Sequence, residues 1–193
     1  MRVIAESKRE LRRLCREKRD KISLPEWKAS GEKMTEILLK TELWHDCDTV
    51  FSFVSMPNEP TTALILQAAL AQGKRLLVPR IVGNGVMQAV EIHDLNELVP
   101  STMGIYEPLN FCTAVDFSEI SLAVIPCLCA SPDGARLGKG GGYYDRFSAD
   151  FSGKSVMFCA ENFLMQNNEI PTEPHDKKTD YIITENKIIK CKK

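Results

Sequence analysis

Apolar residues recur with helical spacing at the start of the chain. Between residues 3 and 21, Ile4, Leu11, Leu14 and Cys15 fall on one narrow face, with Lys8, Arg12 and Arg19 along its border. A second helix is expected over 25–39, with Pro25 at its favoured first position and Trp27, Met34, Ile37 and Leu38 as packing residues. The pattern then shortens. Strands are expected at 49–55, 75–79, 86–92, 120–127 and 155–160, and a closing pair at 181–184 and 187–189 turns at Glu185-Asn186. Helices at 61–72, closed by Gly73, and at 142–149 separate them. Gly83-Asn84-Gly85 turns the chain between the second and third strands, and 94–116 reads as mostly connection without a catalytic signature. The run 120–127 is continuously apolar, as in a strand at the centre of a sheet covered on both faces. The expected fold class is α/β: a single three-layer α/β/α domain over residues 1–193 around a mostly parallel central sheet.

Composition narrows the function classes. A formal charge of −1 argues against a general nucleic-acid binder, although the first 21 residues hold nine Lys/Arg against four Asp/Glu. The residues alone leave open whether that basic stripe points into a neighbouring groove or is a solvated face. Seven cysteines without a Cys-x-x-Cys pair read as reduced thiols of a cytosolic protein. The only histidines, His45, His93 and His175, are widely separated and make no zinc motif with them. Charge follows the N-terminus at once, unlike a signal peptide, and no apolar run approaches the roughly 20 residues of a membrane span. The expectation is a cytoplasmic monomer with small-molecule substrates and neither nucleic acid nor membrane as partner.

The stretch 134–146 stands apart, with five of the chain's eleven glycines inside nine residues. Backbone without side chains lets peptide N–H groups converge on an anion. Arg136 and Lys139 add positive charge, Tyr143 and Tyr144 add flat apolar faces, and Asp145 is a hard oxygen donor for a metal accompanying a polyphosphate. A nucleoside triphosphate, magnesium and an aromatic co-substrate would suit such a set; a flexible hinge beside buried tyrosines is the plainer alternative. Neither standard phosphate motif applies. Gly134 to Gly138-Lys139 is one residue too short for a Walker A loop, and the third glycine of a dinucleotide fingerprint counted from Gly138 falls on Tyr143.

Several separate pieces, in order along nearly the whole chain, resemble the 5-formyltetrahydrofolate cyclo-ligase family. They are Lys8-x-x-x-Arg12, Ser55-Met56-x-x-Glu59-x-x-Thr62, Val78-Pro79-Arg80, the long motif from Gly134 to Arg146, and Ile170-Pro171 leading to His175-Asp176. The resemblance implies a scaffold like that of sugar-phosphate isomerases and CoA transferases. It also implies an ATP- and Mg2+-dependent cyclisation of 5-formyltetrahydrofolate to 5,10-methenyltetrahydrofolate through a phosphorylated formyl group, with ADP and phosphate released. No protein nucleophile is then required, because positioning and charge neutralisation do the catalysis.

Carried over by position, the resemblance places Lys8, Arg12, Arg136, Leu137, Gly138, Lys139, Gly140, Gly141, Gly142, Tyr143 and Tyr144 around ATP. Arg136, Lys139 and Tyr143 would be catalytic. Val54, Met56 and Glu59, with Lys139, Gly140, Gly141, Gly142 and Tyr143, would face the folate, and Asp145 and Asp176 would hold magnesium. Gly141 stands where some members carry a basic residue, which removes one phosphate contact, and Asp180 is a second acid near Asp176 that could take its role. A non-catalytic sensor would be revealed by binding without turnover, and an isomerase or acyl-carrier transferase on a related scaffold would be set apart by nucleotide dependence.

Overall fold

The computed structural model describes residues 2–101, 104–109, 112–173 and 176–192. The apolar runs become a sheet whose centre is parallel. Strands β1 (Thr49–Ser52), β2 (Arg75–Gly83), β7 (Leu122–Pro126), β10 (Lys154–Phe158) and β11 (Tyr181–Ile183) pair in the order β11-β10-β7-β1-β2, all parallel. Antiparallel strands finish both sides. These are β12 (Ile188–Lys190) beside β11, and β3 (Val86–Ile92) followed by β6 (Ala114–Val115) beside β2. All four residues of β1 and the first four of β7 are buried. Successive strand side chains point to opposite faces, so both faces of the sheet are covered, as three layers require.

The covering helices follow from their apolar stripes. Helix α2 (Leu24–Leu39) starts from a capping box, in which Ser23 and Glu26 each bond the other's main chain. It buries Trp27, Met34 and Leu38, and truncating any of them to alanine would cost about 2–5 kcal/mol. Gly31 of α2 permits the approach of the 60–61 backbone: an added Cβ would stand 2.2 Å from both Thr61 N and Thr61 O. Helix α4 (Ala63–Ala71) ends at Gly73, whose φ of +69° is the left-handed stop the sequence implied. On another face Phe51 of β1 stacks on Phe147 of α5 (Tyr143–Asp150), 4.9 Å between centroids.

Three features differ from the sequence reading. A short helix α3 (Glu42–His45) follows α2, started by the Thr41 side chain accepting from Trp44 N. The stretch read as connection contains the hairpin β4 (Leu98–Pro100) and β5 (Tyr106–Pro108) as well as β6. In α1 (Arg2–Arg19) Leu14 is 41% exposed, while Lys8, Cys15 and Arg19 are buried. Leu11 and Cys15 pack on the core as their spacing implied, and the basic stripe beside them also faces inward, on carboxylates and main-chain carbonyls, while Leu14 is left outside. The seven cysteines are all buried.

Candidate active site

In a parallel sheet, ligand sites form beyond the carboxyl ends of the strands, and the main cleft lies there. Phe53 and Val54 follow β1, Pro79 and Ile81 belong to β2, and Pro126 and Cys127 end β7; all line one cleft of about 610 Å3. Ala5, Lys8 and Arg12 of α1 line it too. Every site residue singled out in the sequence is in its wall: Val54, Met56, Glu59, the whole run from Arg136 to Asp145, and Asp176. The volume is that of an ordinary small-molecule site.

The glycine motif is not one continuous loop. Its first part forms a two-residue ladder, β8 (Cys129–Ala130) against β9 (Arg136–Leu137), which fixes Arg136 on a strand. The chain then turns through Gly140 and Gly142, whose φ values of +105° and +68° disfavour any side chain, and enters α5 directly. Gly141 has an ordinary φ, but a Cβ there would meet the Tyr143 ring at 2.6 Å, so a basic residue at this position would require that ring to move. Arg12 Nε donates to Gly138 O at 3.0 Å, so α1 holds the motif from its other side.

Each nominated acid in the cleft is paired with a nominated cation. Arg136 Nη2 donates to Asp145 Oδ1 at 2.6 Å, and its guanidinium carbon lies 5.6 Å from the Tyr144 ring centroid. Lys8 Nζ bridges Asp176 Oδ2 at 2.6 Å and Glu173 Oε2 at 3.0 Å. Burial opposes the charge of Lys8, but the bonds to Asp176 and Glu173 outweigh it and hold the ammonium pKa above its ordinary value. Lys139 Nζ lies 2.7 Å from Glu59 Oε1, in a pair that joins the glycine motif to the loop after β1. Glu59 is only 6% exposed, and its other oxygen accepts from Met56 N at 2.9 Å. Burial, reinforced by the Glu59 charge and opposed by Arg136, pushes the Tyr144 hydroxyl upward, so it is protonated at neutral pH.

Asp180 does not join this set. Its Oδ2 accepts from Ser155 N and Oγ at 2.9 and 2.7 Å, tying β10 to the start of β11, and it is absent from the cleft wall. Pro174 and His175 lie outside the described residues. Sequence reasoning missed Ile105, Glu107 and Glu173 in the wall. Glu107 Oε1 accepts from Ile81 N at 2.9 Å, docking the β4–β5 hairpin beside β2. No local pattern marks Glu107, but Glu173 sits in the stretch already singled out before Asp176. Among the described residues no cluster of three or more His, Cys, Asp or Glu could hold a metal by itself, and none of the helices is long and apolar enough to cross a membrane.

Comparison with known proteins agrees with this construction. The model of the 5-formyltetrahydrofolate cyclo-ligase family matches residues 4–185. A Caenorhabditis elegans protein named "Probable 5-formyltetrahydrofolate cyclo-ligase" is 32% identical over 154 residues, 76% of this chain and 75% of that one. The Mus musculus 5-formyltetrahydrofolate cyclo-ligase is 28% identical over 192 residues, 94% of this chain and 91% of that one. The solved structure of the Aquifex aeolicus 5,10-methenyltetrahydrofolate synthetase has the same fold, with a TM-score of 0.85 at 23% identity over 96% of this chain and 93% of that one. With the nominated binding residues gathered in one cleft and the match running almost end to end, the chain belongs to the 5-formyltetrahydrofolate cyclo-ligase family of enzymes.

Proposed function

We propose that this chain converts 5-formyltetrahydrofolate and MgATP into 5,10-methenyltetrahydrofolate, ADP and phosphate. The observation that carries the reading is the pairing inside the cleft: Arg136 with Asp145, Lys8 with Asp176 and Glu173, and Lys139 with Glu59. The charges needed to receive a triphosphate, its metal and a pterin are all present and already neutralised. Substrates can exchange partners with them instead of meeting a bare buried charge.

Lys8 and Arg12 of α1 and Arg136 and Lys139 of the motif hold the triphosphate, while the N–H groups of 138–142 face its oxygens. Glu59 accepts hydrogen bonds from the pterin amino and ring N–H groups, with Val54, Met56 and the Tyr143 ring as its apolar surroundings. Asp145 and Asp176 are two hard oxygen donors in the wall, a sparse set that fits magnesium arriving on the nucleotide with phosphate oxygens and waters as further ligands. When bound, magnesium neutralises charge on the transferring phosphoryl group.

In the reaction the formyl oxygen attacks the γ-phosphorus and ADP leaves, which converts the formyl group to an imidate phosphate. N10 adds to the activated carbon and loses its proton, and the C–O bond breaks to release phosphate. The chain's own task is to hold the two substrates in line, with Arg136 and Lys139 offsetting charge at the transferring group. A single chain supplies cleft residues from Ala5 to Asp176, so the proposed site is complete without a second copy.

The test is the absorbance of the methenyl product together with ADP release. We expect both, in equal amounts, when 5-formyltetrahydrofolate and MgATP are present together. Product without ATP would refute the nucleotide role; ADP without product would mean another acceptor; folate binding without turnover would make the chain a sensor.

A further inference from the structure

Arg19 lies seven residues after Arg12 on the inward face of α1, is 2% exposed, and is outside the cleft wall. Its Nε and Nη2 both donate to the carbonyl of Asn58, at 3.1 and 2.7 Å. Its Nη1 donates to the carbonyls of Cys127 and Leu128, each at 3.4 Å. The guanidinium packs on Trp27 and Phe163, 4.4 and 5.2 Å from the ring centroids. All four bonds therefore end on main-chain dipoles. A full charge so deeply buried is expensive to keep there, and an apolar side chain against Trp27 and Phe163 would serve stability better. What an apolar side chain could not do is grip a carbonyl from a fixed direction.

Asn58 is the middle of a tight turn that aims Glu59. Glu59 N donates to Met56 O at 3.0 Å, and the Glu59 carboxylate accepts from Met56 N at 2.9 Å. Two of the four bonds converge on this turn and are the shorter ones, so the clamp acts mainly on 56–59 and only weakly on the strand that leads to the glycine motif. We propose that Arg19 is a positioning residue that holds the 56–59 turn so that Glu59 faces the folate. The proposal rests on the assignment of Glu59 to the folate made above. Through Cys127 and Leu128 the same side chain ties that turn to the end of β7, so the folate side keeps its register with the nucleotide side.

Arg19→Lys keeps the charge and loses the fork. In the wild-type background it should raise the KM for 5-formyltetrahydrofolate about tenfold while leaving nucleotide affinity within about twofold, the loss of one charge-assisted pair of bonds. In a Glu59→Gln background the same substitution should change the folate KM by less than about twofold, because Arg19 acts through Glu59. Equal effects on both substrates, no effect on either, or a full effect in the Glu59→Gln background would overturn the proposal. Should the lysine variant fail to fold, Trp27→Phe loosens the packing under the guanidinium and should give a smaller rise in folate KM, about threefold, with nucleotide affinity unchanged; equal shifts there would also overturn it. A wild-type protein that binds no folate would instead reject the assignment of Glu59 itself.

Discussion

Asp145→Asn separates a metal-binding role from a structural one. Asp145 is one third exposed (34%), whereas Arg136 is nearly covered (7%), and they meet at 2.6 Å. Asparagine keeps the volume and one acceptor oxygen for Arg136 Nη2 but removes the charge. The cost to folding should therefore lie between that of an exposed pair and that of a broken buried pair, about 1–2 kcal/mol, leaving a folded protein. Turnover should fall far more. Without the carboxylate, the magnesium that would neutralise charge on the transferring phosphoryl group is no longer held there, a loss of electrostatic stabilisation of about 3–4 kcal/mol, or about 100- to 1,000-fold in kcat. Nucleotide binding without metal should move the other way. With the negative charge beside Arg136 removed, ATP in excess chelator should bind about fivefold more tightly, a gain of about 1 kcal/mol. Calorimetry with ATP, with and without magnesium, reads both effects, and urea unfolding reads the stability change. Magnesium-dependent turnover within about threefold of wild type at saturating magnesium would refute the assignment, since that is below the loss of a single hydrogen bond to a charged group.

Other perturbations follow from the same geometry. Glu59→Gln should raise the folate KM by about 10- to 100-fold with little change in ATP affinity, the range of one or more charge-assisted hydrogen bonds; the reverse pattern in steady-state kinetics would mean the two substrate positions are exchanged. Gly31→Ala should destabilise the protein by about 2 kcal/mol in urea unfolding despite alanine's better helix propensity, because its Cβ meets the Thr61 backbone at 2.2 Å; a neutral or stabilising result would contradict that packing. Lys8 has its pKa raised above the ordinary 10.5, so its pairing stabilises the fold below that pH and fades as pH climbs through the higher folded-state value. The stability gap between wild type and Lys8→Met should thus be constant from pH 7 to about 10 and shrink above it, and a gap already closing near pH 8 would assign the stabilisation to another group.

The elements whose apolar period was strong were legible in the sequence: β1, β7, β10 and the β11–β12 pair all appear close to their expected spans. The 94–116 region was not, because β4, β5 and β6 are only two or three residues each, too short to show a period; β4 and β5 pair with each other and β6 with β3. The inward face of α1 was legible only in part, with Leu11 and Cys15 found by their period and Leu14 misplaced. Hydrophobic periodicity finds only the apolar part of a helix's floor, and α1 rests also on Gly138 O, Asn58 O and the carboxylates of Glu173 and Asp176. The site residues were legible as types, since glycines, cations and acids at those spacings suggest a triphosphate and a metal. Their mutual pairing was not, because Lys139 and Glu59, or Lys8 and Asp176, are brought together only by the crossover order of the sheet.

The most direct test of the central claim follows the formyl oxygen. With 5-formyltetrahydrofolate labelled with 18O in the formyl group and unlabelled MgATP, the proposed phosphorylated intermediate requires one labelled oxygen in each phosphate released, with none in ADP. Label appearing in water instead, or methenyl product forming at full rate without ATP, would contradict transfer of the phosphoryl group to the formyl oxygen in this cleft.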